Sequence, residues 1–375
     1  SVLKEKFDII LTSYGILRND IEILKTELFN VAVFDEVHSL KNSDTSGFKA
    51  ASQITAQVMI GLTGTPIENN LGDLKTLFNL TLPGLFQNDY SADEEVIAAI
   101  DGSNRAYTRQ IQKLISPFMM RRLKSAVLSE LPQKIEDTRQ CTLSEEQFKL
   151  YSAAVNEKGK EFIEILKSND KPVPYMHIFS LLSFLKQICN HPALALGKPQ
   201  EYEMYASGKW DLFVELLEES LSSGQKVVVF TQYVGMVDIF RLYLEKNNIG
   251  HVVLTGNSRQ RDKLIRKFSE DASCRVFVGS LKAGGVGIDL VAGSVLIHYD
   301  RWWNAAREDQ ATDRVHRIGQ KRVVQIFKLI TENTIEERIA DIIDRKRILS
   351  NSVLIEDSPD TLKNFSRQEL LELLS

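Results

Sequence analysis

Short apolar runs recur in two stretches of the chain, separated by helix-length amphipathic segments. In the first stretch, FDIILTSY (Phe7–Tyr14), VAVFDE (Val31–Glu36) and VMIGLTG (Val58–Gly64) are β-rich and apolar at successive positions. Runs apolar on both faces predict parallel strands covered by helices on either side. The pattern returns in KVVVFTQ (Lys226–Gln232), HVVLTG (His251–Gly256), RVFVGSL (Arg275–Leu281), VLIHYD (Val295–Asp300) and VVQIFKLI (Val323–Ile330). Val234–Lys246 and Gln260–Phe268 read as helices between these strands. From Leu74 to about Ala206 the spacing changes, and no strand series is expected there. Leu74, Leu77, Phe78 and Leu82 fall at steps of three and four, the spacing of one helical face. Arg105–Pro117 reads as a helix ended by its proline. Ser144 and Gln147 form a capping-box pattern at the start of a long helix. Tyr175–Asn190 carries Ile178, Leu181, Leu182, Leu185 and Ile188 on an inner stripe, and Ser168–Pro174 is a polar loop tip. Beyond Ile330, Thr334–Leu354 has a core stripe of Ile335, Ile339, Ile342 and Ile343, and Ser358–Leu374 ends in a short helix with an apolar face.

This alternation predicts an α/β fold with two parallel sheets and helical insertions between them. The expected divisions are 1–85, 86–206, 207–332 and 333–375. A chain of 375 residues exceeds one ordinary core, which agrees with more than one domain. Hydrophobic residues at 43% and charged residues at 26% describe a soluble globular protein. No apolar run is long enough to span a bilayer, and SVLKEKFD lacks a secretory pattern. A net charge of −4 gives no bulk attraction to nucleic acid, so any such surface is a local patch. The three cysteines lie far apart and form no CxxC pair, which fits a reducing compartment.

Candidate chemistry gathers at strand ends and in one helix. Asp35 and Glu36 follow the run AVF, at the carboxyl end of a strand where ligands of such sheets bind. Two carboxylates there divide labour, one holding hydrated Mg²⁺ and the other orienting or deprotonating a water. A capping or salt-bridged pair fits the bare dipeptide as well. Gln310, Asp313, Arg314 and Arg317 share one helical face, with Gly319 stopping the helix. Two guanidinium forks one turn apart suit phosphate, although an isolated RxxR also fits a solvated helix face. Thr63 to Pro66 permit close backbone approach after the third strand, and Lys282 to Gly285 offer a backbone nest for phosphate. In DRWWN the aromatic pair fits either faces that pack on sugars or bases or two tryptophans wedged into a core, the latter at least as well for Trp302, with Arg307 a further phosphate contact. Cys189 and His191 lack a second ligand pair, so a structural role is expected of them.

DEVH (Asp35–His38), LTGTPIENN (Leu62–Asn70), GGVGIDL (Gly284–Leu290) and DQATDRVHRIGQ (Asp309–Gln320) occur in order. With MRRLKSAVLSELPQK (Met120–Lys134), QICNHP (Gln187–Pro192) and DRWWN (Asp300–Asn304), they closely resemble the Swi/Snf family of helicase-like ATPases. The resemblance runs nearly end to end and implies two RecA-like lobes, with ATP and Mg²⁺ as cofactors. It implies catalytic roles for Asp35, which holds the metal through water, and for Glu36, Arg314 and Arg317. Gly287, Asp289 and Gln310 are implied nucleotide contacts. Tyr14, Lys282, Gly284 and Trp303 are implied on the nucleic-acid side. His38, Thr63, Thr65, Arg121 and Arg122 are implied in coupling the lobes, although a charged linker fits the two arginines equally. Asp289 stands where the family usually has asparagine. The implied partner is double-stranded DNA, within a nucleosome, an RNA polymerase complex or another DNA-bound assembly. The implied compartment is the bacterial cytoplasm or the nucleus, not the exterior and not a membrane.

The family's glycine-rich GK[ST] loop is missing from this sequence: Gly208–Lys209 precedes Trp210, and Gly197–Lys198 precedes Pro199. The chain thus resembles a fragment, expected to be inactive alone, of an ATP-dependent DNA translocase or remodelling ATPase. Two other readings stay open: a strand-separating DNA or RNA helicase, and a nucleic-acid-binding module whose ATPase has been lost.

Overall fold

The computed structural model describes residues 8–63, 71–86, 113–120, 122, 130–168, 172–256, 258, 260–280, 288–303, 305–349 and 365–374. Two compact units divide the chain: Ser1–Arg121 with Ser350–Val353, and Arg122–Leu349 with Leu354–Ser375.

In the first unit, helix α1 (Tyr14–Asn19) starts at Ser13, whose hydroxyl accepts from the Ile16 amide. Strand β1 (Leu28–Phe34), helix α2 (Ser46–Ala51), strand β2 (Thr55–Gly61) and helix α3 (Leu71–Thr81) follow. β1 and β2 pair in parallel, with Val31 opposite Val58 and Val33 opposite Ile60. Phe34, Ala32 and Met59 pack with Leu17, Leu24, Ala51 and Leu77 in one core. Of the four residues whose spacing predicts one face, Leu74, Phe78 and Leu82 share a smaller cluster with Phe86 and Ile115, while Leu77 joins the first core. Two expectations need correction. Val31, Val33, Val58 and Ile60 are exposed, so among the described residues helices cover one face of this pair and not both. The described part of the Phe7–Tyr14 run is not a strand: Ile9 and Leu11 are 84% and 97% exposed, and Tyr14 opens α1. β-propensity makes a strand only where a neighbour takes the backbone hydrogen bonds, and no described residue pairs with this run.

The second unit is built on a six-stranded, all-parallel sheet. Its elements in order are β3 (Lys134–Cys141), α4 (Glu145–Ala154), α5 (Lys160–Lys167), α6 (Tyr175–Asn190), α7 (Gly208–Ser222), β4 (Val227–Thr231) and α8 (Val234–Lys246). Then come β5 (His251–Leu254), α9 (Arg261–Glu270), β6 (Val276–Ser280), β7 (Val295–His298), α10 (Ala305–Val315), β8 (Val324–Thr331), α11 (Ile335–Leu349) and α12 (Arg367–Leu374). The strand order is β3-β8-β7-β4-β6-β5. Val227 and Val229 enter one core with Phe213, Phe240 and Val276, whereas Val228 and Phe230 enter another with Phe277, Leu296 and Ile326. Alternate side chains are therefore buried on both faces, which is why these strands read as unbroken apolar runs.

β3 lies in the stretch expected to hold no strand. Its sequence, KIEDTRQC, is charged because it forms the sheet edge, where among the described residues only β8 pairs with it. Ser144 and Gln147 make the expected capping box at α4. α6 spans the expected residues and buries the five expected apolar positions. The described parts of the Arg105–Pro117 and Ser168–Pro174 segments are short: a turn of helix at 113–115 that runs on into a 3-10 turn, Ser116–Phe118, with Pro117 inside it and not at its end, and residues 168 and 172–174. Among the described residues no helix is long and apolar enough to cross a membrane.

Candidate active site

At the end of β1 the chain turns sharply. Glu36 adopts a left-handed backbone, φ 49° and ψ 46°, which is uncommon for a residue with a side chain and recurs at functional sites. Leu62 N–H donates to the Phe34 carbonyl at 2.9 Å and Val37 N–H to the Leu62 carbonyl at 2.8 Å, so the end of β2 is stitched to this turn. The stitching sets Thr63 beside it. His38 Nδ1 is 3.2 Å from Glu36 Oε2 and 3.2 Å from Thr63 Oγ1. The structure thus joins Glu36, His38 and Thr63, three residues read separately from the sequence. Asp35 is exposed, and its Oδ1 accepts from the Glu36 amide at 2.9 Å. Tyr14, expected on the nucleic-acid side, donates its hydroxyl to the Asp35 carbonyl at 2.7 Å. Burial, reinforced by the Asp35 charge, pushes the Tyr14 phenol up to about 12. Thr65 lies outside the described residues.

In the second unit α10 carries the remaining groups. Gln310 and Arg314 are one turn apart and half-buried. The Leu290 amide donates to the Arg314 carbonyl at 2.9 Å, which brings Asp289 to the last turn of α10. Asp289 is exposed, and its Oδ1 accepts from the Val291 amide at 3.3 Å. The helix ends at Val315, earlier than Gly319 implied, so Arg317 sits in the following turn and not on the face with Gln310 and Arg314. Two side chains account for the early stop. Gln320 Nε2 donates to the Val315, Val291 and Gly293 carbonyls at 3.1, 3.1 and 2.9 Å, satisfying the helix end laterally. His316 Nε2 donates to the Pro132 carbonyl at 2.7 Å and draws the backbone toward β3. Gly319, at φ 101°, then reverses the chain.

The loop from Asp300 to Trp303 differs most from expectation. Trp302 is core, as its alternative reading had it, with the Arg307 guanidinium 5.6 Å from its ring centre. Trp303, expected at a DNA-facing surface, is only 4% exposed. It is packed edge-to-face against Phe365 at 5.9 Å, with the Lys186 ammonium 5.5 Å from its ring. The sequence showed the aromatic pair but not the distant chain that covers it. Glu308, which sequence reasoning passed over, is buried in the first turn of α10 and accepts from Arg301 Nε at 3.0 Å and the Trp302 amide at 2.8 Å. Burial opposes its charge, yet Arg301, His298 and the Trp302 N–H hold the carboxyl below the usual range. Arg122 is exposed. Arg121, Lys282, Gly284 and Gly287 lie outside the described residues. Cys189 is buried, and His191 Nδ1 accepts from the Ala193 amide at 3.1 Å, a capping role.

The SNF2-related domain family matches residues 2–194, and the helicase conserved C-terminal domain matches residues 208–319. The chain belongs to the SNF2 family. An SNF2 relative from Mycoplasma genitalium, "Uncharacterized ATP-dependent helicase MG018", is 37% identical over 371 residues, covering 98% of this chain and 35% of that protein. TATA-binding protein-associated factor MOT1 of Saccharomyces cerevisiae is 30% identical over 422 residues, 98% of this chain and 22% of the yeast protein. The chain therefore spans about a third or less of these relatives. Among solved structures it is similar to the SWI2/SNF2 ATPase core of Sulfolobus solfataricus in complex with dsDNA. That match has a TM-score of 0.54 and 37% identity, covering 99% of this chain and 78% of that one. The two RecA-like lobes expected of an SNF2 chain are those of this ATPase core.

Proposed function

We propose that this SNF2 chain is the motor part of an ATP-driven translocase on double-stranded DNA. The observation that carries the reading is the turn after β1, with two adjacent carboxylates, one on a left-handed backbone and held by His38. In this reading Asp35 takes the cation: a hard carboxylate oxygen with its partner Oδ1 already fixed suits Mg²⁺. Among the described residues no three His, Cys, Asp or Glu gather into a metal cluster. Bound at Asp35, Mg²⁺ would neutralise charge on the β- and γ-phosphates. Glu36 orients the attacking water and takes its proton, while His38 and Thr63 hold the Glu36 side chain in place. Arg314 and Arg317 take up charge developing on the γ-phosphate. Gln310, Asp289 and Gly287 contact the nucleotide, and Lys282 and Gly284 take backbone phosphates of DNA. Thr65, Arg121 and Arg122 serve coupling between units. DNA binding through phosphates is salt-sensitive and nearly indifferent to sequence.

The relatives support ATP-driven work on DNA: one is an ATP-dependent helicase by name, and a similar core was solved on dsDNA. Lacking a GK[ST] loop in its own sequence, the chain hydrolyses ATP poorly alone and needs a segment that supplies the loop. In a polypeptide joined to such a segment, Glu36→Gln retains ATP binding and loses roughly 10²- to 10⁴-fold in turnover. Turnover of the ordinary size in that variant would remove the role given to Glu36. A triplex-displacement assay is expected to show movement, while a forked duplex stays paired. Strand separation would favour a true helicase instead.

A further inference from the structure

α6 is an amphipathic helix whose inner stripe is apolar, yet Lys186 on it is only 1% exposed and among the largest fully buried side chains. Its ammonium donates to the Arg301 carbonyl at 2.8 Å and to Gln232 Oε1 at 3.2 Å, and lies over the Trp303 ring. Gln232 Nε2 donates to the same Arg301 carbonyl at 2.7 Å, closing a triangle of Lys186, Gln232 and Arg301. With its oxygen turned to the ammonium, the Gln232 amide has one orientation. Asn190, one turn further along α6, donates to Asp300 Oδ2 at 3.3 Å, and the Gln232 backbone N–H donates to Asp300 Oδ1 at 3.1 Å. One helix face thus fixes the ends of β4 and β7 together. A buried ammonium is an expensive way to fill space, and a thioether or alkyl chain of that volume would stabilise the fold as well or better. What an apolar residue cannot do is orient two acceptors and an indole face at once.

We propose that Lys186 is a positioning residue for the arginine-bearing helix α10. The route is covalent and hydrogen-bonded throughout. Lys186 sets the Arg301 carbonyl; the Arg301 side chain and the Trp302 amide share Glu308 Oε1; and Glu308 lies in the first turn of α10. Arg314 is six residues further along, about 9 Å on a rigid helix, so displacement at the loop reaches its guanidinium nearly undiminished. The proposal rests on the reading of Arg314 and Arg317 as phosphate groups of an ATPase.

The test has two arms. In the 375-residue chain, Lys186→Met keeps volume and removes the donors and the charge. Amide exchange across Arg301, Trp302, Trp303 and the first turn of α10 is expected to accelerate about tenfold, while α7 and β4 keep their rates. Lys186→Arg, which retains donors and charge, restores slow exchange. In the polypeptide carrying a phosphate loop, Lys186→Met lowers kcat roughly tenfold with KM for ATP within about twofold, and Lys186→Arg recovers most of the loss. Unchanged exchange around Arg301 overturns the proposal. So does acceleration spread evenly over the second unit, which marks an ordinary core residue. Arg314→Ala separates the two levels. If it abolishes turnover while Lys186→Met does not change kcat, positioning fails and the ATPase reading stands. If Arg314→Ala turns over normally, the reading of Arg314 falls and the proposal with it.

Discussion

Gln147 shows how much one buried amide can organise. Its Oε1 accepts from the Ser144 amide at 3.0 Å and the Gly208 amide at 3.1 Å, tying the start of α4 to the start of α7. Its Nε2 donates to the Ile188 carbonyl near the end of α6 at 2.8 Å and to Ser207 Oγ, the N-cap of α7, at 3.2 Å. Gly208 must be glycine, because a Cβ there would lie 2.0 Å from the Thr142 carbonyl oxygen. Gln147→Leu strands two amides and at least one carbonyl in the core. At about 1–3 kcal/mol for each orphaned group, the expected loss is at least about 3 kcal/mol. Urea unfolding of the second unit measures it, and a loss under about 1 kcal/mol would mean that water replaces the amide. Half of this was legible: the Ser144–Gln147 spacing announced the cap, but its inward partners are 41 to 61 residues away. The same limit applies to Trp303, whose cover comes from Phe365, and to Arg317, which Gln320 and His316 displace from the helix. Asp35, Glu36 and His38 were readable because strand, turn and carboxylates are contiguous.

Elements were legible where burial is two-sided and obscure where it is not. β4, β6 and β7 are buried at every position and stood out as apolar runs. β3 is polar because an edge strand is guarded by charge, so hydropathy hid it. Its attachment is partly ionic: Lys328 Nζ on β8 donates to Glu136 Oε2 at 2.7 Å, while Lys134 Nζ, on β3 itself, donates to Glu136 Oε1 at 2.6 Å and orients that carboxylate. Burial would raise the Glu136 carboxyl, but the two lysines outweigh it and draw the group down to about 2. A carboxyl depressed in the folded state stabilises that state above its unfolded value, and the contribution fades as pH falls through the folded one. The window here runs from 4.5 down to about 2. Protection of the β3 amides relative to β4 is therefore expected to decline across that window. Glu136→Gln at neutral pH should reproduce the loosened edge. A β3 that keeps its protection relative to β4 at pH 2 would show that backbone pairing alone holds it.

At the scale of the molecule, two parallel-sheet units followed from the repeated apolar runs, and their assignment to one family followed from the order of weak motifs. The number of strands in each unit did not follow, since strand pairing is a long-range property. The units also differ in how they meet water. The six-stranded sheet is packed on both faces, whereas β1 and β2 show Val31, Val33, Val58 and Ile60 to solvent. Four aligned branched side chains on a flat surface are a sticky stripe. Concentrated solutions of the chain should scatter light through self-association at this stripe, and a dye such as ANS should brighten on it. Threonine at positions 31 and 58 preserves β-propensity and wets the surface, so Val31→Thr with Val58→Thr is expected to give a monodisperse sample. Colloidal behaviour, read in a cuvette, thus reports on a face that sequence hydropathy alone would have assigned to the interior.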